Sequence, residues 1–95
     1  MRRLNLTWRL KNLLVIRRVV GHSMLPTLNE GKIIFSSSLL PIKHGSIVLA
    51  DVGSRQVVKR YINNEGDLLL VGDNKSDSTD YSVSETDILG VVLNA

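Results

Sequence analysis

Short runs rich in Val, Ile and Leu, each closed by glycine, proline or asparagine, recur along this chain, and that punctuation commits it to β structure. Residues 14–20 form the first such run and lead to Ser23. Pro26 and Gly31 mark a turn before Lys32-Ile33-Ile34-Phe35, and Pro41 and Gly45 another before Ile47-Val48-Leu49. Gln56 to Ile62 reads as a strand, joined through the hairpin connection Asn63-Asn64-Glu65-Gly66 to Asp67–Val71. Residues 73–87 are polar and read as a loop, with one helical turn starting at Ser84, and Ile88 to Leu93 closes the sheet. Six short strands in 95 residues that are 43% apolar make one domain with a single core. The pattern predicts a mainly β fold, a small coiled, barrel-like domain, although the same runs fit other small β architectures.

One residue in the Gln56–Ile62 strand does not belong to an ordinary core. Side chains alternate along a strand, so Val57, Lys59 and Tyr61 share a face. A lysine there is ordinarily solvent-exposed, but its neighbour Arg60 is basic too, and the two point to opposite faces. One of them therefore faces the core or a cleft. Burial disfavours the ammonium and lowers its pKa. Moving a lysine from its reference value to neutrality takes roughly 4 kcal/mol of differential interaction, which a small β core supplies and a surface strand does not. Arg60 cannot act as a base, because its guanidinium stays protonated. A neutral lysine can take the proton from a serine hydroxyl, a poor nucleophile until that proton is removed. Ser23, in Ser23-Met24-Leu25-Pro26-Thr27, is the candidate, although a serine ahead of a proline is by itself ordinarily a turn residue.

A third segment, Gly72-Asp73-Asn74-Lys75-Ser76-Asp77-Ser78-Thr79-Asp80, is a polar loop entered from Leu68-Leu69-Leu70-Val71. Asp73 and Asp80 are the carboxylates that Arg60 could hold. Together the three segments resemble the signal peptidase I family (S26) of serine/lysine proteases. That family carries a Ser-Met-x-Pro-Thr box, a Lys-Arg box on a strand and a Gly-Asp-Asn-x-x-x-Ser-x-Asp box, all present here in family order. A weaker fourth box is represented by Gly45-Ser46-Ile47-Val48, with serine in place of an acid. The likeness covers roughly residues 17–94. It implies a β domain of the signal peptidase and LexA-like type, with residues 1–16 as a basic N-terminal arm and 17–95 as the peptidase domain. It also implies a Ser23/Lys59 dyad, with Ser78 orienting the amine and Asp80 bracing the site. Arg60 holds the loop through Asp73 or Asp80, the Ser23 N–H serves as oxyanion donor, and Met24 lines the substrate cleft or fills core. The chain departs from the family twice. Gly21 stands where some members have a further oxyanion serine, and Tyr81-Ser82 stands where Ser-Arg is usual.

Other chemistries find little support. There is no cysteine, so neither a disulfide framework nor a thiolate metal site forms. His22 and His44 alone make no metal site, and no cofactor is expected. His22 adjoins Ser23 and should face away from it, which leaves His44, in a turn, as the rival base. A P-loop fails because Pro26 occupies the position of its second glycine. Aromatic content of 4% gives no base-stacking platform, so no nucleic acid is expected.

Charge is concentrated at the start. Arg2, Arg3, Arg9, Lys11, Arg17 and Arg18 precede the first acid, in a chain of net charge +3. Interleaved with Leu4, Leu6, Trp8, Leu10, Leu13 and Leu14, they read as a solvated flank or an amphipathic helix of imperfect period on an anionic membrane. No run reaches the roughly 18 apolar residues a bilayer span needs, and no signal-peptide pattern is present. The expectation is a cytoplasmic, at most membrane-peripheral protein. Within the family the chain is similar to the short, anchorless proteases that trim the nickel-dependent superoxide dismutase precursor, which share its size and its Gly-x-Ser-Met-Leu-Pro-Thr start. The reading is a serine endopeptidase that binds a precursor protein as an extended peptide and removes its N-terminal extension. Export-signal cleavage, an autocleaving repressor-type domain and a non-catalytic interaction domain are the alternatives. The sequence assigns no oligomeric state.

Overall fold

The computed structural model describes residues 11–95. Seven strands make one sheet: β1 (Val15–Arg18), β2 (Ile33–Ser37), β3 (Ile47–Val52), β4 (Arg55–Asn64), β5 (Asp67–Val71), β6 (Tyr81–Ser82) and β7 (Ile88–Val92). Every paired neighbour is antiparallel, and the order is β1-β2-β7-β3-β4-β5-β6, coiled into a half-barrel. The expected coiled, barrel-like β domain is therefore present. A 3-10 turn occupies Glu85–Asp87, where the helical turn from Ser84 was expected.

The strands follow from the alternation. Along β4, Val57, Lys59 and Tyr61 are buried, while Val58, Arg60 and Ile62 are half-buried on the other face. Both faces of the central strands carry a core, which is why the apolar runs are so dense. One cluster is Val48, Ala50, Val57, Tyr61, Leu70, Ile88 and Val91; the other is Val19, Met24, Leu28, Ile34, Ile47 and Val92. Each fully buried aliphatic side chain in these clusters is worth about 1.5–3 kcal/mol of transfer free energy.

The structure differs from the sequence expectation in three places. The β4–β5 connection is two residues rather than four, because Asn63 and Asn64 pair with Leu68 and Asp67. Its remaining residues, Glu65 and Gly66, both have positive φ (54° and 95°), the geometry that matches a two-residue hairpin to the strand twist. The polar loop contains β6, too short for periodicity to reveal, which pairs Tyr81 with Leu70 and Ser82 with Leu69. Finally, the boundary between 16 and 17 falls inside β1, whose Val15 and Ile16 are already in register with Ser36 and Phe35. The helix expected over the basic arm lies mainly outside the described residues; Leu13 and Leu14, which are within them, are exposed. Among the described residues no helix is long and apolar enough to cross a membrane.

Candidate active site

β4 positions the lysine. Lys59 is 5% exposed and sits between Val57 and Tyr61, which are 8% and 3% exposed. Its Nζ donates to Ser78 Oγ at 3.0 Å and lies 5.8 Å from the centroid of the Tyr81 ring. Burial is the largest influence on this amine and lowers its pKa from the ordinary lysine value. The negative charge of Asp80 opposes the shift, the positive charge of Arg55 adds to it, and Asp77 opposes it more weakly. Asp80 is itself exposed and acts on the lysine through charge.

Ser23 reaches the same cleft from β1. After Arg18 the chain runs through Val19, whose N–H donates to the Lys32 carbonyl at 2.8 Å, and turns at His22–Leu25, where the Leu25 N–H reaches the His22 carbonyl at 3.2 Å. Ser23 lies within that turn. Among the described residues its own N–H donates to no acceptor. Ser23, Lys59, Ser78 and Tyr81 line one cleft of about 820 Å³, between residues 17–24 on one side and 55–59 on the other.

The 72–80 loop joins these two segments, and each residue of its Gly-Asp-Asn start does so differently. Gly72 is needed for space: a Cβ there would stand 2.1 Å from Ser78 Oγ and 2.6 Å from the Ser23 carbonyl oxygen. Asp73 receives Arg60 through two parallel bonds, Nε to Oδ1 at 2.9 Å and Nη2 to Oδ2 at 2.7 Å, and its Oδ2 also accepts from the Thr27 hydroxyl. Such forked, charge-assisted pairs are the strong ones. Hydrogen bonding from Arg60 is the largest of the causes that hold the Asp73 carboxyl below its usual range. Arg60 Nη1 donates in turn to the Gly45 carbonyl at 2.7 Å, so the fourth box is tied in through its main chain. Asn74 clamps the serine turn directly, its N–H on the Ser23 carbonyl at 2.8 Å and its Nδ2 on the His22 carbonyl at 3.0 Å.

Met24 serves two surfaces. It is 2% exposed within the second core cluster and also lines the cleft, so the cleft and core-filling readings describe two edges of one side chain. His44 is exposed outside the cleft, its Nδ1 accepting from the Asn63 N–H at 3.0 Å. The His22 ring is turned to Glu30 (3.2 Å) and Asp77 (3.9 Å). Sequence reasoning missed Thr27, Asn74 and Tyr81. The first two stand inside the recognised boxes, where their only signal is motif position, and Tyr81 was visible only as a departure from the pattern.

β4 is also longer than its outer partner. It pairs with β3 over Arg55–Arg60 but with β5 only from Arg60 onward. The stretch 55–59 therefore keeps one strand edge without a strand partner, along the cleft and directly ahead of Lys59.

A model of the peptidase S24-like family matches residues 3–93 of the chain. Signal peptidase I of Streptococcus pneumoniae, in strains TIGR4 and R6, is 43% identical over 60 residues. That match covers 61% of this chain and 29% of the relative, so the chain spans less than a third of the length of the curated relatives it matches.

Proposed function

Because the chain belongs to the peptidase S24-like family, we propose that it is a serine endopeptidase in which Ser23 is the nucleophile and Lys59 the general base. One observation carries the reading: a lysine buried to 5% exposure, its amine aimed at Ser78, in a cleft that Ser23 also lines. A substrate peptide adds as a strand along the open 55–59 edge of β4, where main-chain hydrogen bonds hold it. Neutral Lys59 takes the Ser23 proton as Oγ attacks the scissile carbonyl, and the Ser23 N–H donates to the oxyanion. The ammonium then protonates the leaving amine. Water, deprotonated by the same amine, hydrolyses the acyl-serine and restores both residues. Ser78 fixes the amine, Asp73, Arg60 and Asn74 fix the serine turn against β4, and Asp80 acts on the lysine through its charge.

The substrate is a precursor protein, with the nickel superoxide dismutase precursor as the first to test. The similarity to signal peptidase I favours a second reading, cleavage of an export signal. Purified protein should be incubated with each precursor and cleavage followed on gels across pH. Ser23→Ala and Lys59→Arg should both be inactive while folded, the latter because a guanidinium stays protonated. Wild-type activity should rise with pH through the lysine's lowered pKa. A Lys59→Arg protein that cleaves normally would overturn the dyad, and loss of activity in His44→Ala alone would assign the base to histidine.

A further inference from the structure

β1 and β4 run in the same direction, being separated by four antiparallel steps through β2, β7 and β3. Ser23, which follows β1 in the chain, and Lys59, within β4, both line the cleft towards its downstream end. Arg17, Arg18 and Arg55 line its upstream end. Among the described residues none of these three guanidiniums forms an ion pair with a carboxylate. Arg17 Nε instead donates across the cleft to Gln56 Oε1 at 2.8 Å, and Arg18 Nη1 to the Gly31 carbonyl at 3.4 Å. Asp51, opposite Gln56 in the β3–β4 register, forms no ion pair among the described residues either. The acids of the cleft and its rim, Asp77 and Asp80, act on Lys59 at the other end, and the charge of Arg55 reaches the same amine along β4. The cleft is thus electrically polar along its length.

We propose that the cleft selects peptides carrying a carboxylate about four residues from the scissile bond, seated against Arg55 and Arg17. The inference rests on the peptidase reading and extends it to a substrate class. The register comes from the open edge: a peptide paired along 55–59 advances with the same rise as β4, about 3.3 Å per residue. The residue level with Arg55 is then four from the one level with Lys59. Arg55 shares a strand face with Lys59, and Arg17 lines the opposite wall beside Gln56, so both cations border the cleft at the level this residue reaches. Unpaired guanidiniums gain a partner without any existing ion pair being broken, and Arg in this setting offers a forked fit to a carboxylate.

The test uses the full chain carrying Ser23→Ala and fluorescein-labelled ten-residue peptides of Ala and Ser. One has Asp at the fourth residue on the N-terminal side of the intended bond, one at the fourth on the C-terminal side, and one has none. Fluorescence anisotropy should show one of the two Asp peptides binding about fivefold more tightly than the Asp-free peptide at low salt, a gain that fades by about 0.5 M salt. Arg55→Gln and Arg17→Gln, each added singly, should reduce that gain to about twofold. Equal binding of all three peptides, equal gains from both placements, no binding at all, or a preference that survives both arginine changes would overturn the inference. Cleavage by the wild-type chain separates it from the parent reading. Ser23-dependent cleavage without acid preference sinks the selection alone, and acid-selective binding without cleavage sinks the peptidase reading alone.

Discussion

Replacing Lys59 with methionine should abolish cleavage and, at neutral pH, make the protein more stable. Methionine matches the length of the lysine stem and carries no charge, so it keeps the contacts with Val57 and Tyr61 and removes the cost of burying an amine. That cost is readable as a pH dependence. Burial lowers the Lys59 pKa in the folded chain, whereas in the unfolded chain the amine titrates near its ordinary value of about 10.4. Between those two values the unfolded state binds one more proton than the folded state. Wild-type stability therefore rises with pH there, by up to about 1.4 kcal/mol per pH unit. Above the unfolded value both states are neutral and the penalty is gone; below the folded value both are protonated and it is present in full. The methionine variant has no such slope. Its advantage should be largest at and below the lowered pKa and shrink steadily towards pH 10. A constant offset of about 1 kcal/mol in the other direction is expected for the lost bond between Nζ and Ser78 Oγ. Urea unfolding of both proteins at pH steps from 6 to 10 measures the difference. A gap that stays constant over that range would refute the claim that burial lowers the pKa of the native amine.

Two further substitutions address the loop. Asp73→Asn removes the charge that Arg60 and Thr27 share, with Arg60 and Asp73 side chains only 31% and 17% exposed, and should cost about 2–3 kcal/mol at neutral pH. Because the Asp73 pKa is lowered in the fold, this contribution is complete above the ordinary carboxylate value and lost as pH falls through the folded one, so the gap to wild type should close in acid; an unfolding gap independent of pH would count against it. Gly72→Ala forces a methyl against Ser78 Oγ and the Ser23 carbonyl and should cost about 1–3 kcal/mol together with a large fall in kcat, which thermal unfolding and steady-state kinetics would report, and a fully active variant would show that the approach is not required.

The strands were legible because each apolar run ends at a residue with a physical reason to end it. The alternation around Lys59 was legible for the same reason, since Val57 and Tyr61 flank it at a period of two. β6 was not, because a two-residue strand has no period. The short hairpin was also hidden: nothing in Asn63-Asn64-Glu65-Gly66 distinguishes two paired asparagines from two loop asparagines until the partner strand is in place. At the site, residue types revealed the dyad candidates and the Arg60 pairing, but not the clamp. Asn74 acts on the carbonyls of His22 and Ser23, more than fifty positions earlier in the chain, and main-chain acceptors leave no mark in sequence. Met24 stayed ambiguous in sequence because an apolar side chain at a cleft is compositionally the same as one in a core, and it serves as both.

The distribution of partners along β4 explains why the three motifs occur in a fixed order on a chain this small. A strand edge has to be open for a peptide to pair with it, yet a lysine whose amine must stay aligned needs its backbone held. β4 meets both demands by changing neighbours at a single residue. Upstream of Arg60 the strand has β3 on one side and the cleft on the other; from Arg60 onward β5 joins it. The register partner of Arg60 is Val71, and the very next residue is Gly72. The point at which β5 ends is thus the point at which the loop departs, and that departure does two things at once. It exposes the edge ahead of Lys59, and it carries Asp73 onto Arg60 and Asn74 onto the Ser23 turn. Extending β5 by even two paired residues would close the edge beside Lys59 and pull the loop away from the serine. The length of β5, more than any one side chain, is what couples an accessible cleft to an ordered serine and lysine.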